Sequence, residues 1–184
     1  MSSYADDSML CQSLIRLFTE VFPDLDIKGG AEEPFFQAPK ADSKAVIYFK
    51  SNYPRSLLHE MSHYCLAGKR RRLLDDFGYW YTECGRTAEE QQHFEFVEAR
   101  PQGLEKAMCE AIGIKFTPSL DDFSGQPPSD YFLKNLELTY QEMLSTPPPT
   151  AKKALRALKE DKLLYSDRQP LLRNLDSTSE CNVL

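Results

Sequence analysis

His59 and His63 bracket the triplet Glu60-Met61-Ser62, and this spacing constrains the chain more than any other feature. Residues four apart share one face of a helix, so both imidazoles can converge on a single metal ion. Glu60 lies beside that face, within reach of a metal-bound water. Leu57, Leu58, Met61 and Cys65 can bury the rest of the helix, so the histidines would line a crevice. Pro54 suits the first helical position and Gly68 supplies a stop, which places the helix at about Arg55 to Ala67. Ahead of it, Ala45 to Phe49 (AVIYF) reads as a strand, and Asn52-Tyr53-Pro54 turns the chain. The alternative, two ordinary histidines on a surface helix, fits less well with the uncharged Met61 and Ser62 of the motif and the strand before it.

A third ligand is needed, and the next long helix offers two. Thr87 and Glu90 form a capping-box pattern. Phe94, Val97, Pro101, Leu104, Met108 and Ile112 then continue a helical stripe, with Gly113 as C-cap. Pro101 is expected to kink or break it, because proline lacks the N–H and crowds the preceding turn. Glu95 and Glu98 lie three apart beside the stripe. Glu98 is favoured because it precedes the Pro101 kink and has apolar neighbours on both sides; Glu95 is the runner-up. His93 points elsewhere on the wheel. Two histidines and a carboxylate leave open positions for water, dioxygen or substrate. Such a set serves a zinc peptidase with Glu60 as general base, or a non-haem iron oxygenase, and the ligands alone do not separate the two. A third reading, an adaptor whose metal only holds the fold, needs a fourth protein ligand.

The remaining chain supplies the frame. Asp6 to Phe22 carries Leu10, Leu14, Leu17, Phe18 and Val21 at helical spacing. Residues 24–44, with Gly29-Gly30, Pro34 and Pro39, read as irregular, with Phe35 and Phe36 as a core anchor. Phe77 to Tyr81 (FGYWY) reads as a second strand, and Asp122 to Ser129 as a loop. Asp130 to Leu144 is a helix with Leu133, Leu136, Tyr140 and Met143 on one face. Pro147 to Pro149 is a stiff linker, and Thr150 can cap a last basic helix through about Leu164. The 184 residues, 41% of them hydrophobic, suit one domain. The expected fold is α+β: a small mixed sheet flanked by helices, with the HExxH helix in a reduced zincin-like core. Residues 1–165 form the single catalytic domain and 166–184 a flexible tail.

A net charge of −6 argues against a general nucleic-acid binder. Met1 to Leu10 is polar and acidic, unlike a secretory signal, and no apolar run approaches the roughly 20 residues of a membrane span. The five cysteines (Cys11, Cys65, Cys84, Cys109 and Cys181) are odd in number and lack a CxxC pair. They read as free thiols in a reducing compartment, hence a cytoplasmic protein, expected to be a monomer. A thiolate zinc site from Cys65 and Cys84 is the weaker alternative. The run Lys69-Arg70-Arg71-Arg72 leaves the metal helix directly, either as a solvated turn or as a docking patch for an acidic partner. The strand at 45–49 is expected to offer an edge to an extended substrate.

The stretch His59-Glu60-Met61-Ser62-His63-Tyr64-Cys65-Leu66-Ala67-Gly68, then Arg71-Arg72, Asp76-Phe77-Gly78-Tyr79-Trp80-Tyr81, Phe94-Glu95-Phe96-Val97-Glu98 and Pro101-Gln102, resembles the bacterial elongation factor P hydroxylase family. The similarity runs from about Ala5 to Gly125; Gly103 stands where alanine is expected, and no pattern is matched after Ser145. The resemblance implies hydroxylation of a lysine on elongation factor P, itself already carrying a β-lysyl group. It implies a metal held by His59, His63 and Glu98, iron(II) as the working metal, zinc or another divalent ion as a substitute, and dioxygen as co-substrate. Glu60 then takes a supporting role in the site rather than that of a peptidase base.

Overall fold

Ala45, Val46, Ile47 and Phe49 are buried, so this strand has protein on both of its faces and both of its edges. The computed structural model describes residues 4–78, 87–120 and 127–161. Its elements in chain order are α1 (Tyr4–Val21), β1 (Leu25–Ala31), β2 (Phe35–Gln37), β3 (Ala45–Lys50), α2 (Pro54–Leu66), α3 (Ala88–Ile112), α4 (Asp130–Ser145) and α5 (Pro149–Glu160). Short 3-10 turns lie at Arg71–Leu73 and Asp75–Gly78. The sheet order is β1-β3-β2, with β1 parallel and β2 antiparallel to β3. The architecture is therefore α+β with a small mixed sheet, as expected.

Three expectations need correction here. Residues 24–44 are not irregular: they hold β1 and β2. Leu25 and Ile27 alternate inward, and pairing on both sides satisfies the backbone of the buried β3. Only Phe36 of the expected anchor is buried, while Phe35 is 37% exposed. In addition, β3 is central, so it cannot offer an edge to a substrate.

Ser51 and Asn52 both take left-handed backbone, which reverses the chain from β3 into α2. Pro54 opens α2 as expected, and the helix closes on Ala67 rather than Gly68. Leu57, Leu58, Met61 and Cys65 are buried against the sheet and α1. α3 starts on the full Thr87/Glu90 capping box and ends on Gly113 in the left-handed conformation. It runs unbroken through Pro101. Leu104, Ala107, Met108, Cys109 and Ile112 are buried beyond the proline, and this packing outweighs the missing hydrogen bond.

α4 buries Phe132, Leu136, Tyr140 and Met143, so Phe132 replaces the expected Leu133, which is exposed. It crosses α3 closely at Gly103, where a Cβ would meet the Thr139 side chain and the Tyr140 backbone nitrogen at 2.8 Å. Glycine at a position where alanine was expected is thus what this crossing requires. α5 is capped by Pro148, not Thr150, and ends at Glu160. Thr150 instead accepts a hydrogen bond from Arg72 Nη2 at 3.0 Å. Of the expected FGYWY strand, Phe77 and Gly78 belong to the second 3-10 turn, and Tyr79 to Tyr81 lie outside the described residues, as do Cys84, most of the loop at 122–129 and the tail.

Candidate metal centre

α2 and α3 lie side by side, and the cluster forms where their polar seams meet. His59 and His63 point from α2 with their Nε2 atoms 3.1 Å apart and their rings edge to face. From α3, Glu98 places Oε2 3.6 Å from His59 Nε2 and Oε1 3.5 Å from His63 Nε2. Ligands about 2.1 Å from one ion lie about 3.0 Å apart at right angles and about 3.4 Å apart in a tetrahedron. The observed triangle has that size, and nitrogen and carboxylate donors suit a divalent transition metal. Among the described residues, His59, His63 and Glu98 are the group of three able to hold an ion.

Glu95 does not join it. Its Oε2 accepts a hydrogen bond from Ser129 Oγ at 2.5 Å, and Ser129 Oγ in turn accepts from the Phe132 N–H as the N-cap of α4. Glu95 is thus tied to the start of α4. His93 is exposed, as expected.

The electrostatics fit a site built for a cation. Burial would raise the pKa of Glu98, but His63 and His59, with Gln102, hold it down at about 2. Burial would lower the pKa of His59, but its hydrogen bond to Glu105 and the charges of Glu98 and Glu60 push it up to about 10. Without a metal, the cluster holds a proton where a cation fits. Glu60 is half-buried beside it, and burial raises its carboxyl above the ordinary range, opposed by His59 and His63 and reinforced by Glu98 and Asp76.

Two further residues were not anticipated. His59 Nδ1 lies 3.0 Å from Glu105 Oε2. Arg55 donates through Nε and Nη2 to the other oxygen, Oε1, at 3.1 and 3.0 Å, and Nη2 also reaches the Thr117 carbonyl. A proton on Nδ1 directed at a carboxylate leaves Nε2 free for a metal. The signal lay in the spacing of Glu95, Glu98, Gln102 and Glu105, all buried, which recur three and four apart on one face of α3. Four polar residues on a buried face need partners, and here each has one.

The basic run is partly structural. Arg72 donates to the Tyr64 carbonyl at 3.0 Å and lies over the Tyr64 ring at 4.3 Å, while Arg71 donates to the Phe77 carbonyl. Lys69 and Arg70 are exposed. Cys65 is buried in the core, with its thiol pushed up to about 12 by burial.

A family model described as elongation factor P hydroxylase matches residues 16–166. An elongation factor P lysine hydroxylase of Haemophilus influenzae is 38% identical over 120 residues, which span 63% of this chain and 67% of that protein.

Proposed function

This chain belongs to the elongation factor P hydroxylase family, and we propose that it hydroxylates a lysine side chain of elongation factor P with one iron(II) ion held by His59, His63 and Glu98. The observation that carries this is the triangle of donors 3.1–3.6 Å on a side, from residues of two adjacent helices. Zinc has no redox chemistry, so insertion of oxygen from dioxygen favours iron in this ligand set. When bound, the metal supplies the electron transfer to dioxygen. One oxygen atom enters a lysine C–H bond, the other leaves as water, and an external reductant supplies two electrons.

The chain's own residues orient the groups of the site. Glu105 and Arg55 fix the His59 ring. Glu60, half-buried beside the two histidines, orients a group on the open side of the site. The substrate lysine in this reading already carries its β-lysyl group and is modified on the lysine itself. Among the described residues no fourth protein ligand joins the cluster, which suits an open catalytic site rather than a closed structural one. Residues 1–165 act as one catalytic domain, as a cytoplasmic monomer without nucleic acid. Among the described residues, no helix is long and apolar enough to cross a membrane.

Incubation with β-lysylated elongation factor P, iron(II) and a reductant tests the reading by intact mass. A gain of one oxygen is expected. An unchanged mass, or fragments as a peptidase would leave, overturns it.

A further inference from the structure

An extended peptide can bind by adding as a strand to an exposed sheet edge, such as one beside the metal helix. Here the edge on that side is β2, which the aromatic stack Phe36–Phe77–His63 ties to the cluster. The Phe36 and Phe77 rings stack at 4.1 Å between centroids, and Phe77 lies parallel to the His63 ring at 6.3 Å. Along an antiparallel edge strand, every second residue points its N–H outward. In and around β2 these are positions 34, 36, 38 and 40. Pro34 has no N–H. The Phe36 N–H donates to Asp76 Oδ1 at 2.8 Å, and the Ala38 N–H to Asp75 Oδ1 at 2.8 Å. The Lys40 N–H donates to the Ser43 carbonyl at 3.2 Å. No outward donor of this edge is left for a substrate strand.

The segment that seals the edge is held in a costly conformation. Asp76, Phe77 and Gly78 have φ of 46, 56 and 71°, and only the last is glycine. The turn lays both aspartate side chains on β2 and sets Phe77 between Phe36 and His63.

We propose that the Asp75–Gly78 turn is an internal surrogate for a substrate strand, so that this enzyme takes its lysine as a single side chain projecting from a folded protein and not as an extended peptide. The identity of the substrate rests on the hydroxylase reading above; the sealed edge does not.

The test combines amide hydrogen exchange with turnover, using the full metal-loaded chain. Wild-type Phe36 and Ala38 amides are expected to exchange slowly, with no change when folded β-lysylated elongation factor P is added. Asp76→Ala and Asp75→Ala should each speed exchange of their partner amide roughly tenfold or more, as for loss of a hydrogen bond to a charged acceptor. Asp76→Asn and Asp75→Asn, which keep an acceptor oxygen and tolerate left-handed backbone, should restore slow exchange and cover the case in which the alanine variants fail to fold. Folded elongation factor P should turn over at least roughly tenfold faster than a linear peptide carrying the same modified lysine, since the peptide has no edge to order it. Fast exchange of both amides in the wild type, new protection of them on adding substrate, or equal turnover of the linear peptide overturns the proposal. If neither substrate gains oxygen, the hydroxylase reading falls, and the wild-type exchange rates still decide whether the edge is sealed.

Discussion

His59 Nδ1 and Glu105 Oε2 lie 3.0 Å apart, a contact that joins a residue of α2 to one of α3 two helical turns beyond Glu98. The contact decides which nitrogen of His59 is available to a metal. Glu105→Ala should therefore weaken metal binding by roughly 10- to 100-fold with the three proposed ligands in place, the usual cost of losing such a partner. Competition against a chelator measures this. Glu105→Gln, which keeps an acceptor oxygen but not the charge, should fall in between. An unchanged affinity in the alanine variant would remove Glu105 from the site.

His59→Ala, His63→Ala and Glu98→Ala should each abolish stoichiometric metal, read by elemental analysis after gel filtration. Glu95→Ala should keep the metal. Its cost should appear instead as roughly 1–3 kcal/mol of folding stability, from the buried hydrogen bond it makes to the cap of α4. If Glu95→Ala loses the metal and Glu98→Ala does not, the ligand assignment is reversed.

The cluster was legible because its main elements are local. His59 and His63 share a helix, and the apolar stripe around Glu98 pointed inward. Arg55 and Glu105 were missed because their roles depend on how α2 meets α3, which no single helix encodes. The strands β1 and β2 were hidden for a different reason. Gly29-Gly30 and Pro34 break the alternation, and β2 is three residues long. Their pairing is imposed by β3, whose burial demands partners on both edges. The strand order and the sealed edge therefore followed only from the three-dimensional packing.

The two large pKa shifts give the metal-free protein a defined pH response. His59 is raised from 6.5 to about 10, so its contribution is fully present below about pH 6.5 and is lost as pH rises through 10. Glu98 is lowered from 4.5 to about 2, so its contribution is present above pH 4.5 and is lost as pH falls through 2. Thermal melts of the metal-free chain should show the site contributing most between these limits and weakening toward alkaline pH. Bound metal displaces the proton, so the alkaline loss should shrink in the loaded protein. An identical pH response with and without metal would count against the cluster.

Gly103→Ala should destabilise the fold by about 1–3 kcal/mol despite the better helix propensity of alanine, because the new methyl group meets the α4 backbone at 2.8 Å. Denaturant unfolding measures it. A stabilised variant would mean that α3 and α4 can part without cost.

The most direct test of the central claim is turnover under isotopically labelled dioxygen, with iron(II), a reductant and β-lysylated elongation factor P, followed by tandem mass spectrometry of the modified lysine. One labelled oxygen on the lysine side chain is predicted, absent from the His63→Ala enzyme. A label drawn from water, cleavage of the protein, or equal labelling by the variant would contradict the account.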